Sequence, residues 1–111
     1  MRSQLHHLCI AVKEFDWYLK FFEEVFGMTI ERTAKEAPHR QLWFDQGIQL
    51  KEVTEEELLE NGNIIDHISL GVDDIPATVA EALAHGCPAL PNGEHWFALP
   101  NGVKIELKPY R

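Results

Sequence analysis

Basic side chains are scarce in this sequence, and so is cysteine. Ten lysines and arginines stand against 18 aspartates and glutamates in 111 residues, a formal charge of −8. That balance repels a phosphate backbone and an anionic lipid surface, so neither nucleic acid nor membrane is an expected partner. The two cysteines, Cys9 and Cys87, have no CxxC spacing, which argues against a disulfide framework. Both read as small buried residues. Apolar runs never exceed a few residues, so no bilayer-spanning segment is expected. Met1-Arg2-Ser3-Gln4 leads into a strand pattern without an apolar leader, and the cytoplasm is the expected compartment.

What is present is material for one domain. A composition 45% hydrophobic and 10% aromatic is enough, at this length, to bury a core without staples. Six histidines stand out: His6, His7, His39, His67, His85 and His95. Their positions, not their number, decide what they do.

The hydrophobic periodicity predicts a strand over Leu5–Val12, then a helix over Phe15–Phe26. In that helix Phe15, Tyr18, Leu19, Phe22, Val25 and Phe26 recur at helical spacing, and Gly27 closes it. Short strands follow around Met28–Thr33, Gln41–Asp45 and Ile48–Val53. An acidic linker, 54–63, carries a capping box in Thr54 and Glu57 and ends at Asn61-Gly62-Asn63. The order then repeats: a strand at Asp66–Val72, a helix at Ile75–His85, and strands near Pro88–Leu90, Glu94–Ala98 and Val103–Lys108.

The two halves, 1–53 and 64–111, match in residues as well as in order. His7–Val12 (HLCIAV) parallels His67–Val72 (HISLGV), and Gly47–Lys51 (GIQLK) parallels Lys104–Lys108 (KIELK). A Trp-Phe pair, Trp43-Phe44 and Trp96-Phe97, falls between them in each half. Equal order with matched first and last strands argues for an internal duplication.

Strand alternation sorts the faces. Leu8, Ile10 and Val12 oppose His7, Cys9 and Ala11; Ile68, Leu70 and Val72 oppose His67, Ser69 and Gly71. Ile48 and Leu50 oppose Gln49, and Ile105 and Leu107 oppose Glu106. Each half thus offers a greasy face to its helix and a small or polar face bearing His7 and Gln49, or His67 and Glu106. Two imidazoles, a carboxylate and an amide converging on space left by Cys9, Ala11, Ser69 and Gly71 fit a divalent zinc, nickel, cobalt, manganese or iron ion. Gln49 fits either as a ligand or as a hydrogen-bond partner of a ligand or water. His6 is out of phase with His7. His39 and His85 read as surface residues, and His95 and Trp96 reach toward the cavity from the seventh strand, with Trp43 as a further lining candidate.

LHHLCIAV with its helix, IDHISLGVDDI and FALPNGVKIELKPY together resemble the vicinal-oxygen-chelate superfamily of glyoxalases, bleomycin-resistance proteins and extradiol dioxygenases. The turn Leu99-Pro100-Asn101-Gly102 departs from the family by lacking its usual aspartate. The resemblance covers essentially the whole chain and implies an α+β fold, two βαβββ modules paired into a partly open barrel around a divalent ion. It implies His7, Gln49, His67 and Glu106 as ligands, with Glu106 also the candidate catalytic base, and a homodimer with two sites. The function it implies is metal-dependent lyase or isomerase chemistry on a small molecule with vicinal oxygens, through a stabilised enediolate. Its alternatives are a metal-free small-molecule binder of bleomycin-resistance type, a dioxygenase or a thiol transferase.

Overall fold

The computed structural model describes residues 2–61, 65–100 and 102–110. In chain order the elements are β1 (Ser3–Val12), α1 (Phe15–Phe26), β2 (Ile30–Ala34), β3 (Gln41–Phe44), β4 (Ile48–Glu52), α2 (Glu55–Asn61), β5 (Ile65–Val72), α3 (Ile75–Ala84), β6 (Trp96–Ala98) and β7 (Lys104–Pro109). The fold is α+β, as the alternating periodicities predict. Contacts divide the chain into two compact units, His7–Asp66 and, together, Met1–His6 with His67–Arg111. No helix among the described residues is long and apolar enough to cross a membrane.

In the first unit the strands run in the order β2-β3-β4-β1, with β1 parallel to β4. Val12, Phe15, Leu42, Phe44 and Leu50 form its buried core, and Ile10, Tyr18, Leu19 and Phe22 pack against it. The helix face of each strand is therefore the one that alternation predicts. Burying such side chains contributes roughly 1.5–3 kcal/mol each. Helix α1 has no side-chain N-cap, but Gly27 in the left-handed region closes its end, donating to the Glu23 carbonyl. Val25 and Phe26 depart from the expected core stripe, each being 60% exposed. Val25 continues a second apolar stripe, Trp17-Phe21-Val25, at i, i+4 and i+8, whose Trp17 and Phe21 rings stack on each other, and Phe26 lies edge-on to Phe21.

Arg40 anchors this unit further. It donates to both Glu52 oxygens, at 2.9 and 2.8 Å, and to Asp16 of α1 at 3.0 Å. The pairing raises the Arg40 pKa and holds the Glu52 carboxyl below its usual range. The acidic linker is largely helical. The predicted capping box forms in both directions, Thr54 amide to Glu57 Oε1 at 3.0 Å and Glu57 amide to Thr54 Oγ1 at 3.3 Å. The Thr54 amide and His39, 2.8 Å from Oε1, lower the Glu57 carboxyl to about 2. The turn expected at Gly62 and Asn63 lies outside the described residues.

The second unit orders its strands β5-β7-β6, with β5 parallel to β7. Val72, Phe97, Ile105 and Leu107 form its core, covered by Ile75, Val79 and Ala82 of α3. Asp74 caps α3 by accepting the Ala77 amide at 3.0 Å, with Pro76 in the first turn. The helix ends at Ala84, with His85 as its C-cap. The strand expected near Pro88–Leu90 is reduced to a single bridge, Ala89 with Phe97. Pro88 and Pro91 bracket it, and neither can donate to a ladder. The described strands therefore number seven rather than eight. Residues from the start of the chain complete this unit: the Arg2 amide donates to Asp73 at 3.1 Å, and its guanidinium lies 4.3 Å from the Tyr110 ring centre.

Candidate functional site

The two halves that match in sequence also match in strand register. Cys9 pairs with Gln49 as Ser69 pairs with Glu106. Trp43 pairs with Gln49 as Trp96 pairs with Glu106. Register partners share a face, so each unit gathers a histidine, a small residue, an oxygen-bearing side chain and a tryptophan on the side away from its helix.

In the first unit that face carries His7, Cys9, Gln49 and Trp43. His7 is buried, Cys9 is fully buried and forms no disulfide, and Gln49 is only 3% exposed. The Gln49 Oε1 atom has no hydrogen-bond partner among the described residues. A buried amide oxygen without a partner costs roughly 1–3 kcal/mol, a cost that a cation or donor beside it removes. Two residues along the same face, Lys51 pairs with Asp66 at 2.9 Å. The Trp43 ring is covered by the Arg32 guanidinium, 3.9 Å from its centre.

In the second unit His67 Nε2 lies 3.7 Å from Glu106 Oε1. Two donors bound to one ion at ~2.1 Å stand ~3.0–3.4 Å apart at tetrahedral or octahedral angles, so a small adjustment suits this pair to shared coordination. Glu106 is mostly buried, and its second oxygen, Oε2, lies 3.8 Å from Lys108 Nζ. Trp96 lies edge-on to His67, with ring centres 5.0 Å apart. Ser69 is fully buried, and its Oγ is without a partner among the described residues. The donor chemistry of both faces, imidazole with amide oxygen and imidazole with carboxylate, fits a divalent first-row ion.

Other sequence expectations land elsewhere. His95 precedes Trp96 and takes the opposite phase: it lines a cleft of about 660 Å³ beside α3, together with Val79, Leu83 and Leu107. Leu107 belongs to the helix-covered core, so His95 is on the α3 side of β7 and not beside Glu106. Gly71 does not leave the space expected of it, because Gln4 Cγ would stand 3.2 Å from a Cβ there. His39 and His85 are exposed and paired with Glu57 and the Glu81 carbonyl. Three residues escaped the sequence reading: Lys104 and Lys108, and Ser69, read only as small. The signal for Lys108 was in view, since the repeat aligns it with Lys51.

The Glyoxalase/Bleomycin resistance protein/Dioxygenase superfamily model matches residues 6–105. A curated relative, the lactoylglutathione lyase of Haemophilus influenzae, is 29% identical over 94% of this chain and 90% of its own length. Among solved structures, a methylmalonyl-CoA epimerase in complex with methylmalonyl-CoA superposes with a TM-score of 0.72 at 22% identity, covering 99% of this chain and 96% of the other. A Bacillus halodurans protein of unassigned function gives 0.72 at 18% identity, over 100% and 96%. These superpositions show a shared fold. With its family model spanning both repeats, the chain belongs to the Glyoxalase/Bleomycin resistance protein/Dioxygenase superfamily.

Proposed function

We propose that the chain is a divalent-metal-dependent enzyme of lyase or isomerase type, acting on a small molecule with two neighbouring oxygens. His7, Gln49, His67 and Glu106 are its metal ligands in this reading. The observation that carries it is the Gln49 Oε1 atom, buried and unpartnered on the face that the repeat makes equivalent to that of Glu106. When bound, the ion supplies Lewis acidity, which polarises a carbonyl and favours an enediolate.

The chain's own groups do the rest. Glu106, leaving the ion during turnover, is the general base for the proton next to that carbonyl, its carboxylate sheltered yet not fully enclosed. Trp96, packed on His67, fixes the imidazole plane and keeps water from one side of it. Trp43 lines the corresponding face of the first repeat. The two unbridged thiols agree with a reducing compartment, the cytoplasm. A homodimer is the assembly this reading carries, checked by mass in solution.

The test is elemental analysis of protein purified without added metal, followed by turnover assays on a hemithioacetal of glutathione and on a methylmalonyl thioester. About one equivalent of a transition metal, and turnover of one substrate, support the reading. Less than about 0.2 equivalents, with no thermal shift on adding nickel, zinc, manganese or iron, would replace it with a metal-free binding protein. Glu106→Gln that keeps metal and full turnover removes Glu106 from the role of base.

A further inference from the structure

The strand β7 carries a charge pattern that the ligand set does not use. Lys104, Glu106 and Lys108 alternate onto one face, so the candidate ligand is flanked on its own strand by two ammonium groups. Register places Lys104 across from His67, Glu106 across from Ser69 and Lys108 across from Gly71. Lys104 makes no ion pair among the described residues, and it is half-buried. Lys108 is 35% exposed, and its ion pair in this unit is the 3.8 Å approach to Glu106. A carboxylate whose charge is committed to a divalent ion no longer offsets a neighbouring ammonium. The fully buried, unpartnered Ser69 Oγ adds an unsatisfied hydroxyl on the same face.

The first repeat is the internal control. Its equivalent lysine, Lys51, follows a neutral glutamine and is already neutralised by Asp66 at 2.9 Å. Gly47 stands where Lys104 does. Along the two matched strands, β4 and β7, lysine charge not offset by an aspartate is thus confined to β7, in a chain of net charge −8.

We infer that Lys104 and Lys108 recognise a carboxylate of the substrate, so the molecule that enters is a small organic anion whose charged end is held along β7. This rests on the reading of Glu106 as a metal ligand. It distinguishes the substrate from the cationic and neutral ligands that a site of the same donor set could equally admit. The two lysines are specificity-determining residues, and neither takes part in proton transfer.

The test uses two hydroxamates that present the same pair of neighbouring oxygens: N-hydroxysuccinamic acid, with a carboxylate tail, and butyrohydroxamic acid, without one. On the metal-loaded chain the tailed compound is expected to bind about tenfold more tightly, the value of one charge-assisted contact. Lys104→Met and Lys108→Met each reduce that preference, and the double variant abolishes it. Arginine at both positions restores it, and Lys51→Met leaves it intact. Unchanged affinity for butyrohydroxamic acid shows that each variant is folded. A wild-type chain with no preference for the tail, a double variant that keeps it, or a Lys51→Met chain that loses it overturns the inference. Should the chain take up no ion, the metal reading fails separately, and calorimetry with succinate against succinamide decides: succinate binding lost in the double variant supports the inference, and no succinate binding overturns it.

Discussion

Trp43 and Trp96 occupy the same register position, each across from the oxygen-bearing residue of its repeat, yet their surroundings differ. Arg32 covers the first, and the second lies edge-on to His67. The same divergence runs through both faces. Gln49 is neutral with an unpartnered oxygen, whereas Glu106 is charged and lies between an imidazole and an ammonium. The lysine after Gln49 is paired with Asp66; the lysine after Glu106 has the candidate ligand itself as its neighbour. The two halves share their strand register and differ in their electrostatics. One face centres on a neutral amide and the other on a carboxylate.

The sharpest way to break this comparison is to remove the two oxygen donors in turn. Glu106→Ala is expected to weaken metal binding by more than about a hundredfold, beyond the usual cost of losing an outer-shell partner. Gln49→Ala should cost about tenfold, because a neutral amide contributes less than a carboxylate. Competition with a chelator reads both, and equal losses would erase the proposed asymmetry.

The cores can be compared at the same repeat positions. Leu50→Ala should cost about 3 kcal/mol and Leu107→Ala about 2 kcal/mol in urea unfolding. Leu50 lies in a core that includes buried Phe15 of α1, whereas α3 places no residue fully inside. A reversed order would mean that the second core is the better packed.

The Arg40 anchor has no counterpart among the described ion pairs of the second unit, and its contribution depends on pH. Glu52 has a lowered pKa in the folded chain, so its stabilisation is present above the ordinary value of 4.5 and is lost as pH falls through the lowered one. Arg40→Met should therefore lower the melting temperature at pH 7, with the gap to wild type narrowing below pH 4.5. A gap independent of pH would assign the loss to packing on Phe15, whose ring centre is 4.5 Å from the guanidinium.

The smallest expected contrast is between the helix caps. Asp74→Ala should cost about 1 kcal/mol by uncapping α3. Glu14→Ser should gain about 0.5 kcal/mol by giving α1 the side-chain cap that it lacks. Paired thermal melts read both.

Much of this was legible in the sequence because periodicity reports burial. The bounds of α1 follow from its phenylalanine spacing and Gly27, and the capping box at Thr54 from two residue types three apart. The phase of His7, Gln49, His67 and Glu106 follows from strand alternation alone. What alternation could not give is what a neighbouring segment does. Gly71 reads as empty space, but Gln4, distant in sequence, fills it. His95 reads as adjacent to Trp96, and adjacency along a strand puts it on the opposite side. Val25 and Phe26 fit the helical period and still face solvent, since a period names a stripe and not what covers it.

The sequence repeat and the packing unit divide the chain at different places. The second unit includes Met1–His6, and Arg2 and Gln4 reach Asp73, Tyr110 and the surface over Gly71. A cut in the acidic linker would separate the two repeats cleanly on paper while stripping the second of its borrowed edge. The opening residues of the first repeat thus serve as structure for the second, so no single cut divides the chain both by likeness and by packing.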